Sequence, residues 1–219
     1  MFILNKRVSK VSDEILNLYK EVCPSTIGHM QDCGFIRNLK PLHSGKKLVG
    51  TAITVRIPHL DSTAVHKVFD IVNEGDIVVI DTNKDYERAP FGELVCYMAR
   101  HKKVGGVIID GCVTDLNAIK NLGVNVWYRN VSALTTRIKG IEGSINVPIA
   151  IDNVVINPGD LIVADDDGIL VLNPDIDNVE ELGKRAINVQ IGEIETKAKI
   201  DKGIPLSEIL GANKYFEGL

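Results

Sequence analysis

Near the start of the chain the apolar positions Val11, Ile15, Leu18 and Val22 recur at helical spacing, with Ser9 or Ser12 placed to cap the first turn and Cys23-Pro24 to end it. A second short helix is expected from about 25 to 33, where Gly34 stops it, so N-terminal helices fill about 9–33. The period then changes. A strand is expected over 48–57, a helix from Ser62 through Val72, and a strand over 74–81 whose β-branched run Ile77-Val78-Val79-Ile80 implies cover on both faces. A helix over about 90–101, a strand over 106–109, a helix over 115–122 and a strand over 124–128 continue the alternation that marks parallel β-α-β units. From Asn146 the pattern turns β-rich, and a long helix over about 176–202 follows, with Val179, Leu182, Ala186 and Val189 on one face.

One local pattern occurs twice. Gly75-Asp76 leads into an apolar run ending at Asp81, and Gly159-Asp160 into one ending at Asp165. Either a pseudo-symmetric sheet or two independent turn-and-strand signals accounts for the repetition. No linker rich in Gly, Ser or Pro divides the chain, so the reading is one α/β domain over 1–219, with a core over about 48–172 between terminal helices.

Composition narrows the class. Hydrophobic residues make up 45% and charged residues 25% of 219 residues, ordinary globular usage. A net charge of -4 without basic clusters gives no expectation of nucleic-acid binding. Cys23, Cys33, Cys96 and Cys112 form no CxxC pair, as in a reducing cytoplasm, and the apolar start of MFILNKRVSK is too short for a signal h-region. No run approaches membrane-spanning length, so a cytoplasmic protein with no membrane partner is expected. The histidines lack metal-ligand spacing, Cys112 has no base near it in sequence, and Asp165-Asp166-Asp167-Gly168 reads as an acidic turn between strands.

The residues that carry chemistry lie in Ala89-Pro90-Phe91-Gly92-Glu93-Leu94-Val95 and Ile109-Asp110-Gly111-Cys112-Val113-Thr114-Asp115. Both stretches enter a helix. Amides around Gly92, Glu93 and Leu94 would be open donors for a carboxylate, and Asp110 and Asp115 fall where open α/β sheets place ligands. A hard divalent cation needs oxygen ligands and keeps several waters, so one direct carboxylate suffices. The same residues also serve ordinary structure: Asp115 as an N-cap, Glu93 beside a helix dipole and Gly111 in a turn.

The segments LVGTAITV (48–55), GDIVVID (75–81), FGEL (91–94), GGVIIDG (105–111), INVPIAI (145–151) and NPGDLIVADDDGILVL (157–172) together resemble the family of 4-hydroxy-4-methyl-2-oxoglutarate aldolases and related ribonuclease-activity regulators, the RraA-like proteins. The resemblance implies a β/β/α sandwich of the swivelling-domain type, assembled as a homotrimer or a pair of trimers. It also implies a Mg²⁺- or Mn²⁺-dependent lyase that gives pyruvate from a small 2-oxo acid, by retro-aldol cleavage or by decarboxylation of oxaloacetate. In the aldolases an acidic residue, twenty positions and then Arg-Asp mark the site. Glu93 and Asp115 match as metal-site residues, but Thr114 stands where the arginine belongs. Taken with the helix entrances, the substrate side comprises Gly92, Glu93, Leu94, Val95, Asp110 and Arg88; Arg88, or Arg129 at the end of a strand, could supply the missing charge, or else the substrate differs or the site is catalytically dead. Glu193 or Glu195 of a neighbouring subunit would complete the site. A non-catalytic regulator that binds a ribonuclease or similar protein is the alternative.

Overall fold

The structure, a computed structural model, describes residues 1–217. In chain order the strands are β1 (Phe2–Leu4), β2 (Phe35–Ile36), β3 (Lys40–Pro41), β4 (Leu48–Arg56), β5 (Ile77–Asp81), β6 (Gly106–Val113), β7 (Val126–Val131), β8 (Gly143–Ile145), β9 (Ile149–Ile151), β10 (Val154–Ile156), β11 (Leu161–Asp165) and β12 (Gly168–Leu172). The helices are α1 (Asp13–Glu21), α2 (Pro24–Gly28), α3 (Thr63–Lys67), α4 (Glu93–His101), α5 (Leu116–Leu122), α6 (Val179–Asp201) and α7 (Leu206–Ile209).

The sheet runs β2-β12-β11-β4-β5-β6-β7-β3, with β8 also on β4 and β1 on β8. Strand β4 belongs to two neighbourhoods. Its first half, Leu48 to Thr51, pairs antiparallel with β11, and its second half, Ala52 to Arg56, pairs parallel with β5. The β-α-β alternation is present as expected, with β4, β5, β6 and β7 parallel. The two Gly-Asp repeats introduce β5 and β11, which flank β4 in opposite senses.

Period-two alternation sorts the side chains into layers. Ile53, Val55, Val78, Ile80, Val107 and Ile109 face a core shared with α3, α4 and α5. Ala52, Ile77, Val79, Ile108 and Trp127 face the other way, onto the β9–β10 hairpin and one face of β11 and β12. The opposite face of that second pair, Leu161, Val163, Leu170 and Leu172, packs on α1, α2 and α6. This is the mixed α/β sandwich with terminal helices that the resemblance implies.

Several boundaries differ from the sequence reading for identifiable reasons. The helix expected from Ser62 closes as α3 and a 3-10 turn, Val68–Asp70. Helix α4 starts at Glu93 rather than Pro90 because Ala89 and Phe91 bridge to Thr135 and Val113. Strand β6 continues past Ile109 to Val113, and a register shift lies between Ile109 and Cys112. Gly111 allows this close passage, since a Cβ there would lie 2.6 Å from Thr82 Cγ2. The acidic segment 165–167 is a β11–β12 turn, in which Asp165 accepts from the Asp167 amide at 3.0 Å.

Candidate active site

The two helix entrances meet. Thr114 N donates to Phe91 O at 2.9 Å, which lays the segment before α5 against the one before α4. Asp115 occupies the N-cap position of α5 but adopts a left-handed backbone, φ 52° and ψ 41°, and its side chain does not cap α5. Its Oδ2 instead accepts from Glu93 N at 3.0 Å, so it caps the neighbouring helix. Aspartate, like asparagine, enters this region more readily than other side chains do. Gly92 makes room: a Cβ there would lie 2.6 Å from both Asp115 Oδ2 and Thr114 Cγ2.

The side chains of Glu93 and Asp115 are exposed, and Thr114 is half-buried with its Oγ1 3.4 Å from Asp115 Oδ1. The Leu94 and Val95 amides, in the first turn of α4, have no acceptor among the described residues. The side chain of Val95 lies in the helix-side core, so that residue offers only its amide. Glu193 and Glu195 sit exposed on the outer half of α6.

The other proposed substrate contacts belong to a separate network. Arg56, Asp81, Asp110 and Arg129 form one row across the C-terminal halves of the four parallel strands, on the face toward the β9–β10 hairpin. Arg56 Nε donates to Asp81 at 2.9 Å. Arg129 donates to Asp110 and to Asp152, and its guanidinium lies 4.7 Å from the Tyr86 ring centroid. Asp110 is therefore a buried ion-pair partner within β6, on the opposite face from α4 and α5, and not a residue of the strand end. Burial pushes its carboxyl above the usual range, against the pull of Arg129. Arg88 is paired with Asp85 at 2.9 Å. Neither Arg88 nor Arg129 is a free cation in this arrangement. Sequence reasoning gave no role to Asp81, Asp85, Asp152 or Arg56, although a charge after each apolar run (ITVR56, IVVID81, VIID110, VWYR129) is a visible signal of a polar row.

The metal question turns on the donor set. Among the described residues no group of three or more His, Cys, Asp or Glu forms a cage. Asp115 Oδ1 nonetheless accepts only the long Thr114 contact, and the Glu93 carboxylate stands on the adjacent helix turn. One direct carboxylate with a second held through water fits a hydrated Mg²⁺ or Mn²⁺ and does not fit a closed zinc site.

Free amides, an open carboxylate and an acidic neighbour thus come together at the paired helix entrances of this mixed α/β scaffold. A family model described as RraA-like, aldolase/RraA, matches residues 8–171, and the chain belongs to that family. A protein of Halalkalibacterium halodurans provisionally named 4-hydroxy-4-methyl-2-oxoglutarate aldolase is 39% identical over 134 residues, 61% of this chain. The chain spans only 63% of that relative's length. An uncharacterized protein of Methanocaldococcus jannaschii is 33% identical over 178 residues, 80% of this chain and 84% of its own. The crystal structure of Streptomyces coelicolor RraAS2, described as an unusual member of the RNase ES inhibitor RraA family, superposes with a TM-score of 0.77. At 23% identity over 86% of this chain and 98% of that one, it speaks to the fold. No described helix is long and apolar enough to cross a membrane.

Proposed function

We propose that this chain is a divalent-metal-dependent lyase acting on a small 2-oxo acid, by retro-aldol cleavage of a 4-hydroxy-2-oxo acid or by decarboxylation of oxaloacetate, with pyruvate as product. The observation that carries the reading is Asp115, held left-handed with one carboxylate oxygen committed to the start of α4 and the other meeting only a long Thr114 contact, at the helix turn whose Leu94 and Val95 amides are unbonded. Asp115 and Glu93 would hold the ion, which when bound supplies Lewis-acid stabilisation of the negative charge that develops on the 2-oxo acid. The Leu94 and Val95 amides receive the substrate carboxylate at the positive end of α4. Thr114 offers one hydroxyl and no charge, so the site handles the substrate differently from relatives with arginine there. Losing one such charge-stabilising contact costs about 10²–10³ in rate, which favours a substrate whose anionic end is gripped by the amides alone.

Assembly belongs to the same proposal. Leu94, Tyr97 and Met98 on α4 and Ile191 and Ile194 on α6 are exposed apolar side chains that a trimer or a pair of trimers would cover. A cytoplasmic setting agrees with the free thiols.

The test is pyruvate release by the full chain with Mg²⁺ or Mn²⁺ and a panel of 4-hydroxy-2-oxo acids and oxaloacetate, coupled to lactate dehydrogenase. Metal-dependent turnover that disappears in Asp115→Ala supports the lyase. No turnover from a folded protein across the panel overturns it in favour of a non-catalytic regulator. Thr114 and the exposed α4 face are the observations on that side, and a ribonuclease is the partner to try.

A further inference from the structure

The repeated turn contains an unequal pair of carboxylates. Asn73-Glu74-Gly75-Asp76 and Asn157-Pro158-Gly159-Asp160 share one geometry: glycine at φ 84° and 96°, and aspartate Oδ2 accepting from the asparagine amide at 2.7 Å in each. Both aspartates are buried, at 0% and 3% exposure. Asp76 is neutralised by the fork of Arg7, whose Nη1 donates to Oδ2 and Nη2 to Oδ1, the latter at 2.7 Å. Asp160 has no such partner. Its Oδ2 also takes a long bond from Asn157 Nδ2 at 3.4 Å, while Oδ1 accepts none among the described residues and is not sealed from solvent.

What stands before Asp160 is space. It lines a cavity of 670 Å³ and, on its other flank, one of 630 Å³, with Asn157, Asn173 and Asp177 common to both. The larger has the volume of a small-molecule pocket. Its wall carries Asp32, Asp152, Asp160 and Asp177 against Arg37, and Asp152 is already engaged by Arg129. An anion would meet net repulsion there. Burial, with Asp177 and Asp175 nearby, pushes the Asp160 carboxyl up to about 6, as befits a buried carboxylate without a counter-ion.

We propose that this cavity binds a small organic cation, whose guanidinium or primary ammonium group docks on Asp160 Oδ1 as Arg7 docks on Asp76. The site lies at the β10–β11 connection, beneath the segment from Gln31 to Asn38, and is separate from the α4–α5 entrance. It therefore stands or falls independently of the lyase reading.

Agmatine, which carries both head groups, is the probe, titrated calorimetrically into the full chain at neutral pH and fixed ionic strength, with choline as a cation that has no N–H donor. The expected result is saturable one-to-one binding of agmatine, with a dissociation constant below about 1 mM, and none of choline. Asp160→Asn should weaken it at least tenfold. Ile176→Trp, a change at an exposed residue of the cavity wall, should do the same by filling space. If Asp160→Asn does not fold, the tryptophan variant decides. Absence of saturable agmatine binding, equal binding of choline, or undiminished binding in a folded Asp160→Asn or in Ile176→Trp would each overturn the proposal.

Discussion

Two charged constellations lie toward the C-terminal side of the parallel strands, and they differ in how their charges are met. In the row Arg56, Asp81, Asp110 and Arg129 each carboxylate meets a guanidinium, Tyr86 covers one of those guanidinium groups, and Asp152 ties the β9–β10 hairpin to the sheet. At the α4–α5 entrance the carboxylates of Glu93 and Asp115 are exposed, no cation pairs with them among the described ion pairs, and Asp115 holds a left-handed backbone. Satisfied, buried charge fixes a structure, whereas charge left open at an exposed helix entrance is available to a ligand. The difference teaches that the number of carboxylates in a region is a poorer guide to chemistry than the number of their bonds left unmade.

The comparison breaks first at Asp110. Asp110→Ala removes one partner of a buried pair and leaves Arg129 undercompensated, so denaturant unfolding should show a loss of about 3–5 kcal/mol. Asp115→Ala should reverse the pattern: any metal-dependent turnover falls by about 10²–10³ or more, while chemical unfolding registers only the lost cap, about 1 kcal/mol. Equal stability losses at the two positions would erase the distinction. Gly92→Ala should come next, at about 1–3 kcal/mol of overpacking, with activity lost because Asp115 and Thr114 are pushed aside. Thr114→Arg should leave folding nearly unchanged and raise turnover of a 4-hydroxy-2-oxo diacid, read in the coupled pyruvate assay.

A smaller effect concerns Asp160. Its folded pKa, about 6, lies above the unfolded value near 3.9 for aspartate. The folded state therefore holds the extra proton between those values, and this group's contribution makes stability fall as pH rises from about 4 to 6. Asp160→Asn should flatten the unfolding free energy across that window, measured by urea titration.

Much of this architecture was written in local patterns. The change from helical to period-two spacing located the main helices and strands, and the ordered motifs from LVGTAITV to NPGDLIVADDDGILVL carried the fold. Glu93, Thr114 and Asp115 were legible as a group from spacing matched to the family. That Asp115 caps α4 and not its own helix was not, because the choice depends on the Phe91–Val113 bridge, a contact across 22 positions. Asp110 was misplaced for a related reason. An Asp-Gly pair ordinarily ends a strand, but here Arg129 compensates the aspartate and Thr82 accommodates the glycine, so β6 runs on. Period-two counting from Ile109 also puts Asp110 on the far face from α4, a step that needs the strand's true length.

The divided pairing of β4 bears on how the chain reaches this state. Because one strand carries both pairings, losing β4 removes its antiparallel bonds to β11 and its parallel bonds to β5 together. Unfolding should thus be cooperative across the whole molecule. The pairing of β2 with β12, which joins Phe35 to Leu170, requires most of the chain to have been made first. Folding dominated by such distant contacts is slow, and it leaves the apolar strands around β4 exposed to misassociation until the last third of the sequence arrives.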